Sequence, residues 1–165
     1  MKRIVLAGGC FWGVEAYYKQ IKGVVDTNVG YTNGNKAKPS YEDLKNHLAT
    51  HAEAVEIYYD EKILSLEQIL DHLFRIIDPT SLNRQGGDFG IQYRTGVYYQ
   101  SEEDKHRIEQ FFHHQNQQLQ GKLAVELAKE KGFYLAEDYH QDYLDHNPNG
   151  YCHVDFSLIH EHEKK

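Results

Sequence analysis

Two cysteines stand far apart in the chain, and each sits where a thiol could react. Cys10 lies in Gly8-Gly9-Cys10-Phe11-Trp12-Gly13, where an apolar stretch gives way to a helical pattern. A sulfur at a helix mouth faces unpaired backbone N–H groups and the positive end of the helix dipole. Both favour the thiolate, so a lowered pKa and a nucleophilic sulfur are expected. Flanking glycines would let a reactant approach the backbone closely. The competing reading of Cys10 is a small buried hydrophobe, the commoner role of an intracellular cysteine. Phe11 and Trp12, taken alone, read as core.

Glu53 is informative through its phase. It falls on the same side of an alternating run as Val55 and Ile57, so it should point inward. A carboxyl in that position is costly to ionise, and its pKa should rise until it is a neutral proton donor near pH 7. A strand-end carboxylate that bends out to solvent or pairs with a cation is an equally weighted alternative. Cys152 follows the turn-forming Asn147-Pro148-Asn149-Gly150 and should be mobile enough to reach another thiol. A bridge to Cys10 would require the tail to fold back over the active face; an incidental loop thiol is the alternative. The run Asn83 to Arg94 reads as a long irregular loop, functional by its length or merely a Gly-rich connector whose Asp and Gln satisfy its own backbone.

Other constellations fail on spacing. His51-Ala52-Glu53 matches half of a zinc deaminase motif, but no Pro-Cys-x-x-Cys accompanies it. The pairs His113-His114 and His160 with His162 lack a matching partner pair, so no metal site is expected. The loop from residue 83 is neither a dinucleotide nor a phosphate-binding loop.

The elements that must hold these residues follow from periodicity. A strand is expected over Arg3 to Gly8 and a helix from Trp12 to Ile21, carried by Val14, Tyr17, Tyr18 and Ile21 and ended by Gly23. Next come a strand from Val24 to about Tyr31 and a short helix from Tyr41 to Leu48, capped by Ser40 with Asp43. A strand from Glu53 to Tyr59, a helix from Ser65 to Ile77 and a strand from Thr95 to Tyr99 complete the pattern. Strand, helix, strand, strand, helix, strand predicts an α+β two-layer sandwich with a ferredoxin-like βαββαβ core. Ser101 to Leu119 adds a polar helix with Ile108, Phe111 and Phe112 as its apolar stripe, and Ala124 to Leu127 is a candidate further strand. From Phe133 onward the chain reads as loop-rich, with His160 to Lys165 a solvated end.

All 165 residues fit one domain, with a core over about 3–127 and a loop-rich segment over about 133–165. A formal net charge of −7 disfavours nucleic acid as a partner. The opening Met-Lys-Arg-Ile-Val-Leu-Ala-Gly-Gly-Cys has the outline of a lipoprotein signal, but its apolar run is far short of the roughly 7–15 residues needed. No stretch has transmembrane length, so no membrane association and a cytoplasmic protein are expected. The 13 tyrosines hint weakly at a pocket or contact surface.

Gly9-Cys10-Phe11-Trp12-Gly13, His51-Ala52-Glu53-Ala54-Val55, Gln85-Gly86 through Gln92-Tyr93-Arg94, and Ala136-Glu137-Asp138 through Asn147-Pro148 together resemble the peptide-methionine (S)-S-oxide reductases over nearly the whole chain. The resemblance implies Cys10 as attacking thiolate, Phe11 and Trp12 as the pocket for the substrate methyl, and Glu53 as the acid that protonates the sulfoxide oxygen. It implies Tyr41 and Tyr93 as hydrogen-bond donors to that oxygen, Asp88 nearby, and Cys152 as the resolving thiol that turns a Cys10 sulfenic acid into a disulfide. Implied partners are proteins and peptides carrying methionine sulfoxide, with thioredoxin or a similar dithiol as reductant, no bound cofactor, and a monomer. Two departures stand out. With two cysteines in all, the relay cysteine of some relatives is absent, and Thr50 replaces the glycine that often precedes the motif histidine. The rival readings are a cysteine hydrolase, which needs no second thiol, and a non-enzymatic peptide-binding groove around Trp12.

Overall fold

The computed structural model describes residues 1–165. Strand β1 (Lys2–Gly8) runs into helix α1 (Phe11–Tyr18), then β2 (Val24–Thr32), α2 (Tyr41–Lys45), β3 (Ala52–Tyr59) and α3 (Leu66–Ile76). A short hairpin, β4 (Arg84–Gln85) and β5 (Asp88–Phe89), precedes β6 (Thr95–Tyr99) and α4 (Glu102–Gln118). Two edge strands, β7 (Glu126–Lys129) and β8 (Phe133–Leu135), and the short helix α5 (Tyr143–His146) follow.

The main sheet has the order β7-β6-β1-β3-β2-β8. Its four inner strands, β6-β1-β3-β2, pair antiparallel throughout, as the expected split βαββαβ arrangement requires. The registers set Ile4 against Ile57, Leu6 against Val55, and Tyr31 against Glu53. Because side chains alternate, Ile4, Leu6, Val29, Tyr31, Val55 and Ile57 share the face covered by α1 and α3. The opposite face carries smaller residues, Val5, Ala7, Ala52 and Ala54 with Tyr98, against which Ala128 and Phe133 pack.

Helix boundaries follow from local chemistry. Ser65 accepts from the Gln68 N–H while Gln68 returns the bond, and Ser40 with Asp43 does the same for α2. The apolar side of α3, Leu66, Ile69, Leu70, Leu73 and Ile76, is buried on the sheet, each large side chain contributing roughly 1.5–3 kcal/mol. Helix α4 docks on α3 through Phe74, whose ring meets Phe111 at 5.2 Å and Phe112 at 5.7 Å.

Four expectations are corrected. The stretch from Asn83 holds a tight hairpin with its turn at Gly86-Gly87, followed by a 3-10 turn over Ile91–Tyr93. Its Gln85 does serve its own loop, accepting from the Asp78 N–H and donating to the Asp78 carbonyl. The loop-rich end contributes β8, paired with β2. Helix α1 stops at Tyr18 and α2 at Lys45, both short of their predicted ends. Finally, His160 to Lys165 is docked: Arg75 grips both carboxylate oxygens of Glu163 at 2.8 Å, and the Lys165 N–H donates to the Gln20 carbonyl.

Candidate functional site

The β1–α1 junction turns at Gly9, whose φ of +91° favours glycine. Cys10 is the residue that caps α1 and is only 6% exposed. Glu53 reaches the same junction from β3, pointing inward beside Val55 and Ile57 and 1% exposed. Its carboxyl accepts from the Phe11 N–H at 3.3 Å and from the Gln92 side-chain amide at 3.4 Å. Burial pushes its pKa up to about 8, against the partial relief of those two donors. Glu53 is therefore neutral at pH 7.

The expected lowering of the Cys10 pKa does not survive in the resting fold. Burial pushes the thiol well above its ordinary value, and proximity to Glu53 adds to the rise, outweighing the Trp12 N–H. A helix of eight residues supplies a local field, and burial outweighs it, with Cys152 and His153 seated against the flanking Gly13 and Gly9. Cys10 thus rests as a protonated thiol beside a protonated carboxyl.

Tyr41 opens α2 and Tyr93 closes the turn at 91–93, and the two phenols lie side by side. Burial, then Glu53, raises both pKa values, so both hydroxyls keep their protons and can donate. The Tyr41 N–H donates to Glu137, whose other oxygen accepts from the Tyr31 hydroxyl. Asp88 sits in the hairpin, close enough to raise the pKa of both Cys10 and Glu53. Its Oδ2 is buried without a partner.

Phe11 is buried and Trp12 half-buried, forming one wall with residues from the C-terminal segment. Tyr143 stacks on Trp12 at 3.7 Å and 11°. The Trp12 indole N–H donates to His140 Nδ1 at 3.0 Å, and the imidazole packs on Phe11 at 5.2 Å and Tyr41 at 4.8 Å. Burial lowers the His140 pKa, so the ring is neutral and carries its proton on Nε2. These partners, with Gln92 and Glu137, had no assigned role in the sequence reading, although all lie within the quoted motifs.

Cys152 is half-buried, and both cysteines are free thiols. The tail has folded over the junction, so Cys152 lies near enough to Cys10 to act on it electrostatically. Thr50 does not need glycine here: its backbone avoids positive φ, and its N–H donates to Asn35 at 3.0 Å. At the C-terminus, ligand atoms of His160, His162 and Glu163 lie within 4.8 Å of one another. Both Glu163 oxygens are already taken by Arg75.

A thiol at a strand-to-helix turn, an uncharged acid against the same turn and a second thiol brought over it fit an α+β oxidoreductase of the thiol-dependent class. Residues 2–165 match the sequence model described as peptide methionine sulfoxide reductase. The chain is 50% identical over 162 residues to the peptide methionine sulfoxide reductase MsrA of Clostridium acetobutylicum, covering 98% of this chain and all of that one. Among solved structures it resembles reduced Mxr1 of Saccharomyces cerevisiae at a TM-score of 0.86 and 38% identity, covering 92% of this chain and 88% of the yeast chain. Mxr1 in complex with Trx2 matches at a TM-score of 0.61 and 29% identity, covering 86% and 84% of the two chains. The chain belongs to the peptide methionine sulfoxide reductase family.

Proposed function

We propose that this protein reduces methionine sulfoxide in peptides and proteins through Cys10 and Cys152, with thioredoxin or a similar dithiol closing the cycle. The observation that carries the reading is Glu53, neutral and held against the Phe11 N–H at the mouth of the Cys10 turn. Sulfoxide oxygen is a poor leaving group until it is protonated, and a neutral carboxyl with two protonated phenols supplies donors where it would sit. Cys10 sulfur attacks the sulfoxide sulfur as the oxygen takes up a proton. The net step moves that oxygen to Cys10, leaving methionine and a sulfenic acid, so Cys10 is oxidised by two electrons and the sulfoxide reduced by two. Phe11 and Trp12 would enclose the substrate methyl, Tyr41 and Tyr93 would donate to the oxygen, and Asp88 would border the substrate site.

Cys152 then condenses with the sulfenic acid to a disulfide, which the external dithiol reduces. The yeast relative solved with Trx2 supports a thioredoxin-type reductant. The same reading takes the substrate as the S epimer, the chain as one domain over 1–165 and a monomer in the cytoplasm, with no resident cofactor. No helix is long and apolar enough to cross a membrane.

Cys152→Ser provides the test. One equivalent of methionine should form per enzyme, while thioredoxin-coupled steady turnover falls by at least about 100-fold. Undiminished steady turnover would point to a cysteine hydrolase instead. Retention of function in Cys10→Ser would point to a binding groove.

A further inference from the structure

Three consecutive tail residues seat on the glycine-rich face of the site. Tyr151 lies over Gly86, so that a Cβ there would come within 3.3 Å of its hydroxyl. A Cβ at Gly13 would come within 2.8 Å of Cys152 Sγ, and one at Gly9 within 3.0 Å of the His153 ring. Val154, next in line, is buried in the main core.

Little backbone structure holds this stretch. From Pro148 to Asp155 the chain forms no strand or α-helix, and its backbone hydrogen bonds are confined to the local turn at Asn147–Gly150 and the 3-10 turn that opens at Asp155. The only hydrogen bonds of the Cys152 sulfur are local, with the N–H and carbonyl of Val154 two residues on. Against that background, His153 makes a direct bond to the body of the fold: its Nε2 lies 2.8 Å from the Gly8 carbonyl, the last residue of β1. A carbonyl only accepts, so the imidazole donates through Nε2–H. That fixes the tautomer and leaves Nδ1, which is buried and unpartnered, as a bare acceptor. The bond spans 145 positions of sequence and lands two residues before Cys10.

We propose that His153 is a positioning residue for disulfide formation: by donating to the Gly8 carbonyl and covering Gly9, it docks the tail so that Cys152 is presented to Cys10. This rests on the proposed sulfoxide reductase reading. The step it serves is balanced within the protein. The Cys152 sulfur attacks the Cys10 sulfenic sulfur, an S–S bond forms, the S–O bond breaks, and the thiol proton leaves with the hydroxyl as water. The oxidising equivalents were already placed on Cys10 by the sulfoxide, so no further oxidant enters. Without the anchor, Cys152 stays tethered by the chain but samples many positions, and its effective concentration at Cys10 falls.

The test is rapid mixing of fully reduced enzyme with one equivalent of a methionine sulfoxide peptide. Methionine release, dimedone-trappable sulfenic acid on Cys10 and the Cys10–Cys152 disulfide are followed in time by mass spectrometry. His153→Ala should release methionine at a rate within about twofold of the unaltered protein, while the disulfide forms about tenfold more slowly and sulfenic acid accumulates. His153→Gln, whose amide can still donate to Gly8, should recover most of the rate; His153→Phe, which keeps the packing without a donor, should not. Disulfide formation at the unaltered rate in His153→Ala would overturn the proposal, as would a parallel slowing of methionine release and disulfide formation. If the unaltered protein releases no methionine, the sulfoxide reductase reading itself fails and takes this one with it.

Discussion

Cys10 and Glu53 form two acids in one dry corner: burial makes both harder to ionise, and Glu53 makes Cys10 harder still. With Glu53 near pKa 8, the proton-donor form dominates at neutral pH and disappears as pH rises through about 8. The rate of first-turnover methionine release should therefore be level between pH 6 and 7 and decline above 8. In Glu53→Gln it should be slower at neutral pH, Glu53→Ala slower still, and neither should show that limb. A decline above pH 8 that persists in Glu53→Gln would assign it to another group. Stability carries the same signature. The folded pKa lies above the unfolded value of 4.5, so the native state holds the extra proton; the benefit is complete below about 4.5 and lost as pH rises through 8. Relative to the unaltered protein, Glu53→Gln should gain stability at pH 9 over pH 5, on the order of a few kcal/mol, read from urea unfolding at the two pH values. The inward aim of Glu53 was legible in sequence because strand phase is a local property. The raised pKa of Cys10 was not, because its causes are burial and then the charges of Glu53 and Asp88, which only the fold brings together.

At the scale of elements, alternation and capping boxes located the inner strands and α3 to within a residue or two. What escaped are the pieces too short to show a period: β8 has three residues, and β4 and β5 two each. They exist because neighbours supply their pairing. The segment carrying His140 and Tyr143 is likewise held by partners that no local pattern shows. Gln141 donates to the Val29 carbonyl and accepts from its N–H, both at 2.9 Å. Glu15, buried in α1, accepts from the Thr27 hydroxyl at 2.9 Å and from the Asp142 N–H at 2.8 Å. It thereby fixes the turn, at a φ of +53° for Asp142, that lays Tyr143 on Trp12. Glu15→Ala should strand both donors and cost about 1–3 kcal/mol. Since Cys10 is set by the Gly9 turn at the start of α1 and Glu53 by β3, neither of which the Glu15 carboxyl bonds, the kinetic loss should fall on KM for a sulfoxide peptide more than on kcat. A fall in kcat at constant KM would place Glu15 in the chemical step rather than behind the Trp12 wall.

Across the whole molecule, the segment that bears Cys152 is a span fastened at both ends. Its near post is the Tyr143–Trp12 stack with the Glu15–Asp142 bond. Its far post is the Glu163–Arg75 fork, reinforced by Lys22 N–H to the Glu163 carbonyl and by an isolated bridge between Ile21 and Lys164. A terminal charge run in sequence reads as solvated because Arg75, its partner, belongs to a helix 88 positions earlier. The fork holds the Glu163 carboxyl down at about 2, led by the Arg75 hydrogen bonds. Its stabilising effect is therefore present above about 4.5 and lost as pH falls toward 2. The two posts differ in consequence for Cys152. Releasing the far one leaves the chain tethered from Asn147, and lengthening a loop raises its closure cost only as the logarithm of its length. Arg75→Ala should accordingly increase amide exchange throughout residues 158–165, yet slow Cys10–Cys152 disulfide formation by less than about threefold. That is well short of the effect of His153→Ala, because a hydrogen bond at the docking point selects one position for the sulfur whereas a distant post only narrows the range. Disulfide formation slowed as much by Arg75→Ala as by His153→Ala would instead mean that tension across the whole span, rather than the seat at Gly8, brings the second thiol to the first.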